Sequence, residues 1–444
     1  MMFQKITRRF LFFTFIAAFV ILFLQFLNLH SPVNIKHIYG YTKYSNQEFL
    51  LSRESYETTA SRRSSVDHTN QFHTEKFHFE FPALTSVVPI NCPLLFAGNS
   101  SEQKRAVMYT KESIRQTMEF YHTRVQNCST LKHGYITSYL TQEEKSFPIA
   151  YSILVYKNLV QVERLLRAIY RPQNFYCIHI DLKADQDFKK TMSQIAACFD
   201  NVFITSRSVD VRWGTFTVLE PELICMKELW TYKTWKYFIN LTGQEFPLRT
   251  NAEIVKILKI YNGTNDVGGT VKRANKKRWA NAGSPPSGVV VGKGSVHITV
   301  NRHFVDYVLH NQTAQDFLNW CKKTLVPDET YFASLNHNPQ LGILGSANGY
   351  EEPYIMNSRF KNWRSSPCAG KIVRQICIFG IGDLPVLFSR NELFANKFYW
   401  DFQPLTLDCM EELIYNRTRD GYLNKTEFNV TFYKNLHFLT NRSR

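Results

Sequence analysis

A chain of 444 residues with 53 lysines and arginines against 37 aspartates and glutamates carries a formal charge of +16. Its basic residues are dispersed and match no nucleic-acid recognition pattern, so the excess points to a polyanionic or diphosphate ligand and excludes a nucleic-acid partner. The nine cysteines contain no C-x-x-C, which excludes the usual zinc signatures.

At the amino terminus, Lys5, Arg8 and Arg9 precede a nearly unbroken apolar run from Phe10 to Leu27. This predicts a cytoplasmic tail over residues 1–9 and a transmembrane signal-anchor helix over 10–29. A cleaved signal peptide would have a shorter apolar region followed by small residues, whereas Gln25, Phe26, Leu27, Asn28 and Leu29 stand here. Residues 30–90 mix Ser, Thr, charges and scattered aromatics without periodicity and read as an extended lumenal stem. Residues 91–444 are long enough for one large domain or two tightly joined ones, ending in a polar tail. Sequons at Asn99, Asn127, Asn240, Asn262, Asn311, Asn416, Asn424, Asn429 and Asn441 suit a lumenal chain. Asn240, inside the strand-like WKYFINL, is expected to be buried, and the four beyond Asp408 are the better acceptors.

The stretch from Phe147 to Asp181 reads as strand, helix, strand. Tyr151 to Val155 is a short apolar run, Leu159, Val162, Leu165, Leu166 and Ile169 recur at helical spacing, and Phe175 to Ile180 is strand-like. Such a crossover implies parallel strands, hence an α/β domain of the nucleotide-binding kind. Asp181 at the second strand's end could accept from a sugar or base, or could cap the next helix. Asp185-Gln186-Asp187 has the form of a metal-holding carboxylate pair, but it stands at the start of the predicted helix Phe188–Cys198, where carboxylates ordinarily cap. Lys272, Arg273, Lys276, Lys277 and Arg278 form the densest basic cluster, read either as a solvated loop or as the mouth of a cleft. A helix over Phe317–Leu325 carries Cys321, whose thiol has no neighbouring histidine and is expected to be inert. Glu329 follows at a loop-to-helix junction, as a cap or as a catalytic carboxylate.

The words LLRAIYRPQNFYCIHID, CFDNVFITS, CMKEL, WKYFINLTGQEFPLRTN, PDE, CIFGIGDL and LFANKF stand in this order between Asn91 and Cys409. In them the chain resembles the core 2 and I-branching β-1,6-N-acetylglucosaminyltransferases, Golgi type II enzymes. The resemblance implies a GT-A-like fold with a mixed central sheet flanked by helices, stapled by disulfides. It implies metal-independent, inverting transfer of GlcNAc from UDP-GlcNAc to the 6-hydroxyl of a Gal or GalNAc acceptor, forming β-1,6 branches on O-glycans at the Golgi membrane. No cofactor or divalent metal is implied. Oligomeric state is left open, a homodimer included.

Residue by residue, the resemblance makes Glu329 the base, which must take the proton of the attacking hydroxyl. Arg374 and Lys397 would neutralise the departing diphosphate, as cations can in a water-poor cleft. Leu154, Val155, Tyr156, Asp181, Leu182, Lys183 and Trp213 fall at donor-binding positions, with Trp213 equally readable as core packing. Arg278, Glu329 and Trp363 fall at acceptor positions. The implied disulfides are Cys92–Cys409, Cys128–Cys198, Cys177–Cys225 and Cys368–Cys377, leaving Cys321 unpaired.

The acceptor wall departs from the family pattern. A lysine position reads Asn275, two tyrosine positions read Ser365 and His297, the loop to Cys368 is shorter, and the expected acidic contact has only Asp266 nearby. Other readings are an I-branching or xylosyl transferase, an inactive glycan-binding relative, and a metal-dependent transferase using Asp185 and Asp187.

Overall fold

A run of seven residues, apolar but for Ser152, Ile149–Val155, forms β1, buried along nearly its whole length as an inner parallel strand must be. In this computed structural model, residues 81–82, 90–109, 124–352 and 356–443 are described. The predicted tail, anchor and nearly all of the stem lie outside the described residues. Among the described residues no helix is long and apolar enough to cross a membrane.

The further strands are β2 (Phe175–Ile180), β3 (Val202–Ile204), β4 (Tyr237–Thr242), β5 (Glu245–Pro247), β6 (Gly269–Thr270), β7 (Lys293–Gly294), β8 (Thr299–Asn301), β9 (Arg359–Lys361), β10 (Lys371–Val373), β11 (Ile376–Ile378) and β12 (Phe394–Asn396). The main sheet has the order β3-β2-β1-β4-β8, with only β8 antiparallel. The chain runs outward from β1 to β3 and then returns to the other side of β1 with β4. That reversal opens a crevice beyond the carboxyl ends of β1 and β4, where ligands of open α/β sheets bind. A second sheet, β5-β12-β9, continues from the carboxyl end of β4, and β10 and β11 form a hairpin beside it.

Helices α1 (Leu159–Ile169), α2 (Gln186–Ala197) and α3 (Glu220–Leu229) connect the parallel strands, and α4 (Asn251–Tyr261) follows β5 behind a Thr250/Glu253 capping box. Then come α5 (Arg302–His310), α6 (Gln312–Cys321), α7 (Tyr331–Asn336) and α8 (Pro404–Tyr422). The pleat of β1 divides the core: Tyr151 and Ile153 pack with Leu165, Ile178 and Ile195 on one face, while Ala150 joins Cys177, Cys225, Phe238 and Phe304 on the other.

Several expectations are corrected. The helix expected over Phe317–Leu325 begins earlier and ends at Cys321, because Thr324 turns back to the Cys321 carbonyl and Leu325 is 61% exposed. The first part of the expected polar tail, through Tyr422, is α8. Its buried face carries Asp408 and Glu411, which pair with Arg164, while Glu411 also meets Arg167 of α1. Asn416 therefore lies half-buried on a helix, whereas Asn424 and Asn429 are exposed. Phe81, assigned to the stem, packs edge-on against Tyr415 and Tyr422 of α8, so the stem's last part belongs to the folded domain.

Disulfides Cys92–Cys409, Cys128–Cys198 and Cys368–Cys377 are present. Cys177 and Cys225 are free thiols, against the implied fourth bridge. They are neighbours on β2 and α3, yet Cys225 Sγ donates to the Cys177 carbonyl at 3.6 Å, and burial pushes the Cys177 thiol far above its ordinary range. Cys321 is completely buried and its thiol is likewise pushed up by desolvation, which agrees with an inert thiol and leaves it out of reach of a second chain.

Candidate active site

At the end of β1, Leu154 and Val155 are fixed through their backbones: the Gly243 amide donates to the Leu154 carbonyl and the Asp181 amide to that of Val155, both at 2.9 Å. Gly243 has to be glycine, since a Cβ there would stand 2.8 Å from a Val162 methyl. Tyr156 is then free to project, 49% exposed, into the switch-point crevice.

Asp181 does not cap α2. Its Oδ1 accepts from the Lys183 amide at 2.8 Å and from Lys183 Nζ at 3.1 Å. Lys183 Nζ continues to Asp210 Oδ1 and the Val211 carbonyl, both at 2.6 Å, and so ties the end of β2 to the loop carrying Trp213. His179 helps hold that loop: burial lowers its imidazole to about 4, and the neutral Nε2 accepts from the Val209 amide at 3.0 Å. Trp213 is 79% exposed, which removes the core-packing reading. With Tyr156 and Leu182, 54% exposed, it rims the strand ends with apolar surface suited to a base or sugar face.

Asp185 is the N-cap of α2, its Oδ1 accepting from the Phe188 amide at 2.8 Å, and Asp187 lies in the helix's first turn. The pair is accounted for by capping and dipole chemistry.

Arg374 occupies the turn of the β10–β11 hairpin with φ +48° beside Gln375 at φ +72°, the paired left-handed residues of a two-residue hairpin. Lys397 follows β12, and its carbonyl accepts from the Phe379 amide at 2.9 Å just beyond β11. Burial lowers the Lys397 ammonium; Glu245 opposes that shift, and the charges of Arg374 and Lys157 add to it. Two further cations, missed in the sequence, stand there. Lys157 Nζ lies 5.4 Å from the Tyr399 ring centre, and Lys371 Nζ lies 5.6 Å from the same ring and 4.3 Å from that of Phe402. Among the described residues none of Lys157, Lys371, Arg374 and Lys397 makes an ion pair, which suits a site awaiting a diphosphate.

Glu329 ends a short 3-10 turn, Pro327–Glu329, entered through Val326 at φ +53°. The Val326 amide donates to the Gly214 carbonyl at 2.9 Å, joining the turn that carries Glu329 to the Trp213 loop. Arg278 is brought alongside because its carbonyl accepts from the Leu325 amide at 3.0 Å and Trp279 Nε1 reaches Thr330 Oγ1 at 3.3 Å. Its Nη1 lies 2.6 Å from Glu329 Oε2. Glu329 Oε1 accepts from no described residue, so Arg278 holds the carboxylate through Oε2 alone. Asp328, buried beside it, is raised to about 6 by desolvation and then by the Glu329 charge.

Trp363 is 56% exposed. Asn275 caps the turn bearing Arg278 by accepting from the Lys277 amide at 3.2 Å, and Lys272, Arg273, Lys276 and Lys277 are exposed along it. Asp266 is ruled out as an acceptor contact: it is fully buried, accepting from the Asn357 amide and from Ser358 Oγ. His297 is also removed from the wall, since its Nε2 lies 2.5 Å from buried Glu245.

An α/β domain with a switch-point crevice, a carboxylate held by an arginine and a group of cations that make no ion pair among the described residues has the parts that a nucleotide-sugar transferase needs. The sequence profile described as Core-2/I-Branching enzyme matches residues 149–387. The Bos taurus "Beta-1,3-galactosyl-O-glycosyl-glycoprotein beta-1,6-N-acetylglucosaminyltransferase" is 36% identical over 360 residues, 73% of this chain and 84% of the relative. The Homo sapiens protein of the same name is 34% identical over 372 residues, 76% and 87% of the two chains. The Homo sapiens "N-acetyllactosaminide beta-1,6-N-acetylglucosaminyl-transferase" is 37% identical over 323 residues, 67% and 78%. The chain belongs to the Core-2/I-Branching enzyme family.

Proposed function

We propose that the protein is a β-1,6-N-acetylglucosaminyltransferase that moves GlcNAc from UDP-GlcNAc to the 6-hydroxyl of a Gal or GalNAc residue, forming a core 2-type branch on O-glycans. The observation that carries this reading is the pairing of an oriented carboxylate, Glu329, whose Oε1 accepts from no described residue, with four cations, Lys157, Lys371, Arg374 and Lys397, that make no ion pair among the described residues.

In the reaction, Tyr156, Leu182 and Trp213 receive the uridine and sugar, and Arg374 and Lys397, joined by Lys157 and Lys371, bind the diphosphate. The acceptor's hydroxyl donates to Glu329 Oε1 and attacks the anomeric carbon as its proton passes to the carboxylate. The bond to UDP breaks on the opposite face, and the cations take up the charge of the leaving group without a divalent metal. One displacement converts the α-linked donor into a β-linked product. The protein acts in the Golgi lumen from a GT-A-type domain anchored by residues 10–29. The test is NMR of the product formed from UDP-GlcNAc and Galβ1-3GalNAc by the full-length protein. A β-anomeric signal with a substituted GalNAc C6 supports the reading, and an α-anomer or another linkage refutes it.

A further inference from the structure

Lys361 ends β9, two residues before Trp363, and nothing in the reaction above uses it. Its Nζ donates to Ser295 Oγ at 2.8 Å and lies 3.4 Å from His297 Nδ1. Neither partner is anionic. Burial lowers the His297 imidazole to about 4, so the ring is neutral, with Nε2 2.5 Å from Glu245 Oε1 and Nδ1 left to accept from Lys361. Glu245 is in turn engaged by Arg359, whose Nε donates to its Oε2 at 2.8 Å. Among the described residues Lys361 makes no ion pair.

A half-buried ammonium without a counter-ion is costly, and proteins seldom retain one that nothing uses. Burial lowers this one to about 8, with the charges of Glu245 and Glu329 raising it and those of Arg359 and Lys293 lowering it; it remains protonated at neutral pH. Lys361 pairs in register with Asn396 of β12, on the strand that leads to the exposed Trp363. An ammonium has three N–H donors, and Ser295 and His297 occupy two.

We propose that Lys361, resting on the transferase reading above, is the binding site for an anionic group on the acceptor glycan, a carboxylate or a sulfate ester. The anion takes the third N–H while the acceptor's sugar lies against Trp363 and its 6-hydroxyl meets Glu329. Arg278 and Lys293 reinforce the positive field, and the neutral His297 holds the ammonium in place without discharging it.

The experiment compares kcat/KM of the full-length protein in detergent for three acceptors: Galβ1-3GalNAc, its form sulfated on galactose O3, and its form α2-3-sialylated there. At low salt the better acidic acceptor exceeds the neutral one by about tenfold, the scale of one charge-assisted hydrogen bond. The sulfated and sialylated arms tell which anion is meant. Raising the salt concentration lowers the acidic-to-neutral ratio, a readout that needs no variant. In Lys361→Met the ratio falls to about one, while Lys361→Arg keeps it. Branching of the neutral acceptor with no preference for either acidic form overturns this inference and leaves the transferase reading standing, as does a preference that survives in Lys361→Met. No product from any of the three refutes both.

Discussion

Glu222→Gln tests how the crevice floor is built. Glu222 of α3 is 1% exposed; its Oε2 accepts from Ser152 Oγ of β1 at 2.7 Å and its Oε1 from Asn240 Nδ2 of β4 at 3.1 Å. Burial raises its carboxyl from 4.5 to about 8, despite the two hydrogen bonds. The folded state therefore binds a proton that the unfolded chain has released, and stability falls as pH rises between those values. The slope is about 1.4 kcal/mol per pH unit, and the whole interval amounts to on the order of 5 kcal/mol. Glutamine keeps a carbonyl for Asn240 and offers an amide to Ser152, but cannot ionise. Thermal unfolding of both proteins from pH 5 to 9 is the assay. The curves coincide at the acid end, and wild type loses several degrees relative to Glu222→Gln by pH 9. Parallel curves across the range would refute a neutral buried carboxyl.

The remaining predictions concern the chemistry and the frame. Glu329→Gln lowers kcat by at least about a hundredfold, the scale of a positioned base, with UDP affinity measured by calorimetry unchanged. The double variant Arg374→Ala, Lys397→Ala weakens UDP binding by at least about a hundredfold and uridine binding hardly at all, because each charged hydrogen bond contributes about 1.5–3 kcal/mol. Asp185→Ala costs about 1 kcal/mol of stability through loss of the α2 cap and leaves turnover within about twofold. Replacing both Cys92 and Cys409 by Ser opens a link across 317 residues and lowers stability by up to about 5 kcal/mol, read by denaturant unfolding.

What the sequence made legible was local. Apolar runs and helical spacing located β1, α1 and β2 almost to the residue, since each is a continuous segment whose period shows directly. Asp185 is readable as a cap because capping depends on four consecutive residues, Asp185 to Phe188. The crevice was less legible where it depends on residues far apart: Glu245 meets Arg359 across 114 positions and Arg278 meets Glu329 across 51. Lys157 and Lys371 become diphosphate candidates only once the fold brings both to Tyr399. Nothing in the sequence singles out Lys361, which only the fold sets against Ser295 and His297 at the end of β9. Asp266 shows the converse error: an acid near the right place in sequence is taken up by Asn357 and Ser358. The fourth disulfide came from resemblance, and the geometry instead turns the Cys225 thiol toward a carbonyl.

The most direct test of the central claim is transfer of GlcNAc from UDP-GlcNAc to Galβ1-3GalNAc by the full-length protein, in parallel with and without EDTA. Cationic stabilisation of the leaving UDP by Arg374, Lys397 and their neighbours predicts branched product at equal rates in both. Product that disappears in the chelator would contradict it and return Asp185 and Asp187 to consideration as metal ligands.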